Sequence, residues 1–349
     1  MRVHEKDEQL RAFGAGIFIW ENGLRVLQAL GAYEEVMRHA HQGMVYETRD
    51  GERVIARTPF SLARGSRMLT MTRQHLYDAM LAAARRAGVE FRTRSAVTGA
   101  TPQGVLQTRD GASYQADLVV GADGVGSKVC QSLQIRTQRK PCADGIARVL
   151  APRCREELGP GNWDYVIDFW EQGGRGLRIL YVPCNDDEVY LAMMAPVNDP
   201  DATAMPLKED LWIAAIPQLE PVIRRIRTGG RYDPYETRTV ERWSAGRVAI
   251  TGDAAHAMVP TLGQGAGCAL MNALSLAVAV ADAADIEDAL RSWEARERPL
   301  TDYTQARSEQ TALERAMASG TAWNDETLRT ARHIPTGTGP LQALKGDRK

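Results

Sequence analysis

Two short apolar runs, each leading into a glycine and an aspartate, stand out in the pattern of hydrophobic and polar positions. The run at 248–250 leads into Asp253, and the run at 118–120 leads into Asp123. Apolar runs of this length, bounded by turn residues, predict buried strands. A further predicted strand at the start of the chain is followed by Glu5. An acidic residue after such a strand is the geometry that binds a ribose in nucleotide-binding folds.

Helical spacing of apolar residues predicts the elements that follow these strands. Positions 76, 79, 80 and 83 are apolar and recur with the spacing of one helix face. Ser, Thr and Asn residues mark helix starts, and glycines mark helix ends. The predicted helices run from a cap at Asn22 to Gly31, from a cap at Thr72 to Gly88, from a cap at Ser127 to about Leu133, over 207–227 with interrupting prolines, over 266–284 and over 285–317.

The middle of the chain has a different pattern, in which strand-like runs are separated by short polar turns. These runs are 165–170, 177–183 and 188–195, and the first turn contains Gly173-Gly174. Turns this short join neighbouring antiparallel strands. The sequence therefore predicts an antiparallel sheet at about 145–196, separate from the parallel strands of an α/β nucleotide-binding fold.

Composition and charge narrow the class of protein. The 349 residues are 44% hydrophobic and 25% charged, with a formal net charge of −1. This length allows two domains with a large core, and the near-neutral charge gives no reason to expect nucleic acid as a partner. The sequence has no apolar run long enough for a membrane span, and its five scattered cysteines indicate a reducing compartment. We therefore predict a cytoplasmic enzyme without a metal site.

The segment after Asp253 carries the strongest chemical signal. Pro260 precedes the run Gly263-Gln264-Gly265-Ala266-Gly267, where the predicted helix at 266–284 begins. Glycines let a ligand approach the backbone, and a helix start offers N–H donors and the positive end of the helix dipole. An aspartate at a strand end can accept a hydrogen bond from a sugar hydroxyl. This combination predicts a site for a phosphorylated cofactor.

These motifs, in this order, resemble the FAD-binding motifs of the single-component aromatic-ring hydroxylases, the group A flavoprotein monooxygenases. The segment Arg11-Ala12-Phe13-Gly14-Ala15-Gly16-Ile17 contributes to the resemblance. Within the family, runs such as 178–181 and 232–237 are most similar to the pyridine-ring oxygenases of bacterial vitamin B6 degradation. The resemblance implies an α/β fold of the p-hydroxybenzoate-hydroxylase type, with a Rossmann-like FAD-binding domain, an antiparallel-sheet substrate domain and C-terminal helices.

The domains implied by the resemblance include an incomplete cofactor domain. The implied ranges are 1–44, 70–140 and 240–330 for FAD binding, 45–69 and 141–239 for substrate binding, and 331–349 for a loose tail. The family opens with a strand, a G-x-G-x-x-G loop and a helix, whereas this chain starts in what matches the second strand. Roughly 30 residues are therefore expected to be missing ahead of Met1, through a misplaced start or a real truncation.

The resemblance also implies a bound FAD, with NADH or NADPH as co-substrate. The implied FAD contacts are Glu5, Arg11, Arg73, Asp123, Asp253, Pro260, Gly263, Gln264, Gly265, Ala266 and Gly267. Of these, Glu5 is expected at the adenosine ribose, Arg73 near the phosphates and Asp253 at the ribityl chain. His256, by contrast, is predicted to pack or hydrogen-bond locally.

The substrate site that the resemblance implies consists of Tyr46, Arg148, Arg178, Tyr190 and Tyr235. Arg178 is expected to pair with a carboxylate or phenolate of the substrate, and the tyrosines to hold the ring oxygen and nitrogen. The alternative interpretation of Arg178 is an ion-paired arginine of a strand.

The reaction implied by the resemblance is oxygenation of a 3-hydroxypyridine carboxylate by O2 through a flavin C4a-hydroperoxide, followed by ring opening. Three alternatives stay open: a flavin monooxygenase of a carbocyclic phenol such as a nitrocatechol or salicylate, a flavin-binding protein without hydroxylase activity, and an inactive remnant that does not retain FAD. The expected partners are a small aromatic or pyridine carboxylate and O2, and the possibility of a homo-oligomer stays open.

Overall fold

The structure, a computed structural model, describes residues 1–10, 15–226, 230–317 and 323–339. The strands in these ranges are β1 (Arg2–His4), β2 (Gly16–Trp20), β3 (His41–Gln42), β4 (Val45–Asp50), β5 (Arg53–Pro59), β6 (Met68–Thr72), β7 (Glu90–Arg92), β8 (Val97–Thr101), β9 (Val105–Thr108), β10 (Ser113–Gln115), β11 (Val119–Gly121), β12 (Thr137–Pro152), β13 (Val166–Trp170), β14 (Arg178–Pro183), β15 (Glu188–Pro196), β16 (Tyr232–Val240), β17 (Ser244–Ala245) and β18 (Val248–Ile250). The α-helices are α1 (Glu21–Ala29), α2 (Tyr33–Met37), α3 (Arg73–Arg86), α4 (Lys128–Ser132), α5 (Glu209–Ala215), α6 (Glu220–Ile223), α7 (Asp253–His256), α8 (Gly265–Ala281), α9 (Ile286–Met317) and α10 (Asp325–Leu328). Within these ranges, no helix combines the length and the apolar character needed to cross a membrane.

A seven-stranded sheet with the order β16-β12-β15-β14-β13-β4-β5 is the largest element of the fold. The predicted antiparallel pairing of β13, β14 and β15 is confirmed, while β4 joins β13 in parallel. Successive residues of a strand point to opposite faces of a sheet. Ile167, Ile179 and Met193 therefore share one face, which packs against Trp212 of α5. The opposite face carries Tyr46 and other residues of alternate parity.

Parallel strands place the predicted acidic residues at strand ends. β1 pairs in parallel with β7, and β11 pairs in parallel with β18, which also takes β17 as an antiparallel neighbour. Gly121 lies opposite Ile250 in this register. Asp123 and Asp253 therefore follow neighbouring parallel strands at the same sheet edge, which is where α/β folds bind their ligands. The expected mixed α/β architecture is confirmed.

Helix starts show which predicted caps are correct. The Thr72 hydroxyl accepts a hydrogen bond from the His75 N–H at the start of α3, and Ser127 does the same for Cys130 at the start of α4. The prediction for Asn22 is wrong, because α1 begins at Glu21 and Asn22 lies fully buried in its first turn. The Asn22 Oδ1 accepts from the Gly23 N–H at 2.8 Å within α1, and the Asn22 Nδ2 donates across the fold to Gln264.

The segment after α9 packs on the first helix of the chain. The Asn22 N–H donates to the Ala331 carbonyl at 3.0 Å, and Ala331 is fully buried. An Arg25 Nη1 donates to the carbonyl of Gly339 at 3.2 Å. Residues 331–339 are therefore packed, and the expectation of a loose tail does not hold for them, because their backbone satisfies polar groups of α1. Residues 340–349 lie outside the described residues.

His256 lies in the core below the parallel strands, as the sequence analysis expects for a locally packed residue. Its Nε2 is 3.0 Å from the Asn272 amide nitrogen, and its ring is 5.5 Å from that of Trp243. The amide nitrogen is a donor, so this ring nitrogen is the acceptor and the imidazole is neutral. Burial lowers the pKa of His256 from 6.5 to about 4.

This pKa predicts a pH dependence of stability. Between pH 6.5 and about pH 4 the unfolded chain binds a proton at His256 that the folded chain does not, so stability falls as the pH falls through this window. The loss that His256 contributes approaches about 3 kcal/mol at the acid end. We expect the His256→Gln variant to lose this part of the slope in urea unfolding measured from pH 7 to pH 4.

The exposed His39 provides the control, because His39→Gln removes a histidine without changing a buried site. The slope of His39→Gln should match that of the unsubstituted protein. An equal slope in His256→Gln would show that His256 is not the group that titrates.

Candidate active site

Three neighbouring strands bring a buried polar group to one face of the large sheet. Tyr46 lies on β4, Asp168 on β13 and Arg178 on β14. Asp168 is two residues from Val166, which pairs with Tyr46, and two residues from Trp170, which pairs with Arg178. Residues two apart share a face of the sheet. The register therefore places all three side chains together.

Hydrogen bonds join these three residues into one network. The Arg178 guanidinium donates to both carboxylate oxygens of Asp168, with Nη2 to Oδ2 at 2.8 Å and Nε to Oδ1. The Tyr46 hydroxyl lies 3.0 Å from Asp168 Oδ2, and Arg178 Nη2 lies 3.3 Å from the Tyr46 oxygen. The Asp168 side chain is fully buried, and that of Arg178 is 8% exposed. A bidentate contact of this kind fixes both planes.

Charges of the network follow from these contacts. Burial acts to lower the pKa of Arg178, but Asp168, together with Tyr46 and Tyr235, outweighs burial and raises that pKa above its ordinary value. Burial, together with Asp168, raises the pKa of Tyr46. Arg178 therefore stays charged and Tyr46 stays protonated. The Arg178 guanidinium also stacks on the Trp170 ring, with 4.8 Å between its central carbon and the ring centroid. Arg178 is therefore an ion-paired arginine of a strand, which is the alternative interpretation given in the sequence analysis.

The long helix α9 supplies a second buried guanidinium. Arg315 is 9% exposed, and its Nη2 donates to the Thr261 carbonyl at 2.9 Å. Burial, and next the positive charge of Arg178, lowers the pKa of Arg315 to about 10, while Tyr46 and Asp168 oppose this shift. Arg315 therefore holds the loop that starts at Pro260, and its charge interacts with those of the sheet network.

Aromatic rings cover the Tyr46 side of the network. The Trp323 ring lies 5.2 Å from Tyr46, 5.3 Å from Trp20 and 5.8 Å from Phe60, mostly in edge-to-face geometry. Such contacts are favourable for aromatic rings. This wall combines residues from both ends of the described chain.

Tyr190, Tyr235 and Arg148 lie on the same face of the sheet, nearer to the cofactor residues. Burial raises the pKa of Tyr190, against the effect of Arg148 and Arg73, and it raises the pKa of Tyr235, which also faces Tyr190. Arg148 Nη1 lies 3.1 Å from Asp233 Oδ2. The five residues predicted for a substrate site thus share one sheet face. Both arginines among them, Arg148 and Arg178, are ion-paired with aspartates.

The backbone approaches Tyr190 closely at the edge of this region. A Cβ atom on Gly16 would lie 2.5 Å from the Cβ and Cδ1 atoms of Tyr190. Only glycine fits at this distance, so the Gly16 backbone fixes the Tyr190 ring. Arg73 opens α3 beside this point, and its backbone N–H donates to the Ala15 carbonyl at 2.9 Å.

The predicted cofactor loop lies next to this face, and we name the region of this loop and Asp253 the candidate cofactor cleft. Asn22 Nδ2 donates to Gln264 Oε1 at 3.0 Å, and a Cβ on Gly267 would lie 2.8 Å from the same oxygen. Gly263 has a positive φ of 62° and ends the turn Pro260–Leu262. Gly265 and Ala266, both half-buried, open α8. The Asn22 and Gln264 side chains therefore pack against the start of α8, where Gly267 leaves room for them.

Polar groups in the cleft fit a flavin nucleotide. Gln264 Nε2 and Thr251 Oγ1 are buried without a hydrogen-bond partner in the described part of the chain. Such groups are costly unless a ligand satisfies them. Solvent reaches Asp253, yet the surrounding protein raises its pKa, opposed by Arg73 and Arg148. A carboxylate that lines a cleft has these properties.

The remaining predicted cofactor residues lie at other strand ends. Glu5 follows β1, is half-buried and accepts a hydrogen bond from the Asp7 N–H at 2.9 Å. Asp123 Oδ2 accepts from the backbone N–H groups of Lys128 at 2.7 Å and Val129 at 3.2 Å. Asp123 therefore also holds the start of α4. Arg11 lies outside the described residues, and no group of three or more metal-ligating side chains occurs within them.

Comparison with known proteins gives the class of this chain. A family model described as FAD binding domain matches residues 2–312. The chain belongs to this family, and it is an FAD-dependent monooxygenase of the aromatic-ring hydroxylase type. The family, fold and cofactor expected from the sequence are confirmed, and NADH or NADPH is the usual co-substrate of such enzymes.

Individual relatives act on different rings. The solved tetrameric form of 2-methyl-3-hydroxypyridine-5-carboxylic acid oxygenase is 42% identical, with a TM-score of 0.91 over 97% of this chain and 92% of that chain. The 2-heptyl-3-hydroxy-4(1H)-quinolone synthase of Mycobacteroides abscessus is 39% identical over 88% of this chain and 82% of that protein. The 3-amino-4-hydroxybenzoate 2-monooxygenase of Streptomyces cremeus is 30% identical over 94% of this chain and 84% of that protein.

The Asp168–Arg178 pair predicts a non-additive effect on stability. Arg178→Met leaves a buried carboxylate without its cation, which should cost about 3–5 kcal/mol of unfolding free energy. The double variant Asp168→Leu with Arg178→Met removes both charges at similar volume and should recover most of this loss. Urea unfolding followed by circular dichroism measures both. Arg136→Met, which breaks an exposed pair with Glu241, should change the free energy by less than about 1 kcal/mol. A double variant no more stable than the single one would contradict the pairing.

Asp253 predicts a specific loss of FAD affinity. Asp253→Ala removes a charged hydrogen-bond acceptor in the cleft, and we expect the free energy of FAD binding to weaken by roughly 1.5–3 kcal/mol. Fluorescence titration of the cofactor-free protein with FAD gives the dissociation constant. Asp282→Ala, at an exposed position after α8, is the matched control. Equal affinities for the two variants would rule out Asp253 as an FAD contact.

Proposed function

We propose that this chain catalyses the NADH- or NADPH-dependent oxygenation of a 3-hydroxypyridine carboxylate, with hydroxylation followed by ring opening. The observation that carries the proposal is the grouping of Tyr46, Tyr190 and Tyr235 with the buried guanidinium groups of Arg178 and Arg315 on one sheet face. The 42% identity to a pyridine-ring oxygenase over 97% of the chain supports it.

The roles of the chain's own residues follow from their positions. Bound FAD supplies the activation of O2, and the residues proposed to hold it are Glu5, Arg11, Arg73, Asp123, Asp253 and the loop from Pro260 to Gly267. Tyr46, Tyr190 and Tyr235 orient the ring and its polar substituents. The aromatic wall at Trp323 keeps water away from the reacting ring, which strengthens the polar contacts.

An acidic substrate fits the charges at this site. Arg178 is already neutralised by Asp168, so it holds the network together and contributes to the field that the substrate meets. Arg315 adds a second positive charge next to Tyr46 and Tyr235. We propose that the substrate carboxylate lies on this sheet face, with Arg148 closer to the flavin.

A second candidate is the hydroxylation of a 4-quinolone ring without ring opening. The observation that favours it is the ion pair of Arg178, because a neutral bicyclic ring needs no unpaired arginine. The 39% identity to a quinolone synthase supports this candidate. Hydroxylation of a carbocyclic phenol is the remaining alternative.

Further expectations from the sequence remain proposals. We propose a cytoplasmic location, and a homo-oligomer in line with the tetrameric form of the 42% identical oxygenase. We also propose the division into a cofactor domain and a substrate domain at the boundaries given above. Size-exclusion chromatography with light scattering measures the oligomeric state.

The reaction can be tested directly on the FAD-loaded protein. We expect NADH or NADPH oxidation to be stimulated by 2-methyl-3-hydroxypyridine-5-carboxylate, with mass spectrometry showing two added oxygen atoms and with loss of aromatic absorbance. The assay is repeated with a 2-alkyl-4(1H)-quinolone and with 4-nitrocatechol and salicylate.

The product decides between the candidates. One added oxygen with an intact quinolone ring supports the second candidate, and turnover of carbocyclic phenols alone contradicts both ring-nitrogen proposals. Oxidation of the nicotinamide without an oxygenated product, with release of hydrogen peroxide, would show that none of these rings is the substrate.

A further inference from the structure

Asp168 is a buried carboxylate that the proposed reaction does not use directly. It accepts three hydrogen bonds, two from Arg178 and one from Tyr46. An ionised carboxylate has no proton to donate. The hydrogen between Tyr46 and Asp168 therefore belongs to the Tyr46 hydroxyl, and that hydroxyl has no second proton to offer to a ligand.

The hydroxyl group of Tyr46 has few hydrogen-bonding positions left for a ligand. A phenol oxygen carries one donor and about two acceptor positions. Asp168 uses the donor, and Arg178 Nη2, at 3.3 Å, occupies one acceptor position. Among the described residues, no other hydrogen bond to this oxygen is formed. One acceptor position remains.

The charged groups around Tyr46 keep its hydroxyl protonated and directed towards Asp168. Its pKa is raised by burial and by Asp168, so the hydroxyl stays protonated, and the charged groups that face it are Asp168, Arg178 and Arg315. Neither arginine can accept a proton from the hydroxyl. The orientation of the hydroxyl is therefore set by the carboxylate below it.

We propose that Asp168 is a positioning residue that makes Tyr46 an acceptor towards the substrate, so that the enzyme selects rings presenting a hydrogen-bond donor at this point. The donor is the hydroxyl of a 3-hydroxypyridine in the proposed function, on which this inference rests. In a 4(1H)-quinolone the ring N–H would take the same place. If the ring has only an acceptor atom at this point, a lone pair of that atom faces a lone pair of the Tyr46 oxygen, and no hydrogen bond forms.

Probe pairs that differ only in the donor test this selection. With FAD-loaded protein and no nicotinamide cofactor, calorimetry measures the dissociation constants of 5-hydroxynicotinate, 5-aminonicotinate and 5-methoxynicotinate. We expect the two donor ligands to bind roughly tenfold more tightly than the methoxy ligand. Tyr46→Phe should reduce this ratio to the part that the size of the methyl group causes.

The role of Asp168 is isolated by removing it together with its cation. In Asp168→Leu with Arg178→Met, the net charge is unchanged and the Tyr46 hydroxyl becomes able to donate. The preference for donor ligands should then fall to the level of Tyr46→Phe. In a triple variant that also carries Tyr46→Phe, the double substitution should have no further effect on the ratio. Asp168→Asn is the second variant, because an amide can donate to Tyr46 as well as accept from it.

Several outcomes overturn the proposal. A donor preference that survives in Tyr46→Phe, or that is unchanged in both Asp168 variants, shows that Asp168 does not set it. If no nicotinate binds but 4(1H)-quinolone does, the substrate class of the first proposal fails, and the comparison of 4(1H)-quinolone with its N-methyl derivative tests the same selection. Binding of neither series overturns the inference together with both substrate candidates.

Discussion

The alternation of side chains along the strands of a sheet with two buried faces is the constraint on which the site depends. In β13, Ile167 and Phe169 enter one apolar core, and Asp168 between them must enter the other. A carboxylate there is tolerated only with partners, which Arg178 and Tyr46 provide from the adjacent strands. A shift of one residue in the strand register would point the Asp168 side chain to the opposite face of the sheet, into the apolar core that contains Ile167. The ion pair thus penalises incorrect pairing of these strands, although a buried pair adds little net stability.

The sheet network and the cofactor cleft meet through a few polar contacts. Arg315 holds the Thr261 carbonyl, and Asn22 holds Gln264 from the other side of the same loop. Both contacts come from helices, so the loop is fixed between rigid elements. The position of the flavin relative to the substrate therefore depends on residues of α1 and α9 that hold this loop.

Much of this architecture could be predicted because local pattern determines it. The strands β13 to β15, the helices α8 and α9 and the caps at Thr72 and Ser127 follow from spacing and turn residues over a few positions. The long strands β12 and β16 were missed because they pair with distant partners. Of the site, the resemblance supplied Tyr46 and Arg178, but Asp168, Arg315 and Trp323 were not found. A lone carboxylate in the apolar run 166–170 was the available signal for Asp168, whereas the positions of Arg315 and Trp323 depend on how a late segment returns to the sheet.

Residues 323–339 pack against the N-terminal part of the chain, and this affects when the site can form during protein synthesis. Arg25 and Gly339 are 314 residues apart in sequence and share a hydrogen bond, and Trp323 covers Trp20 and Tyr46. The chain leaves the ribosome from its N-terminus, so Trp20, Tyr46 and Phe60 emerge long before the residue that covers them. Until then an aromatic surface is open to other nascent chains and to chaperones. The substrate site can therefore close only after residue 323 has been synthesised, and a fragment that ends before this residue leaves the aromatic surface uncovered.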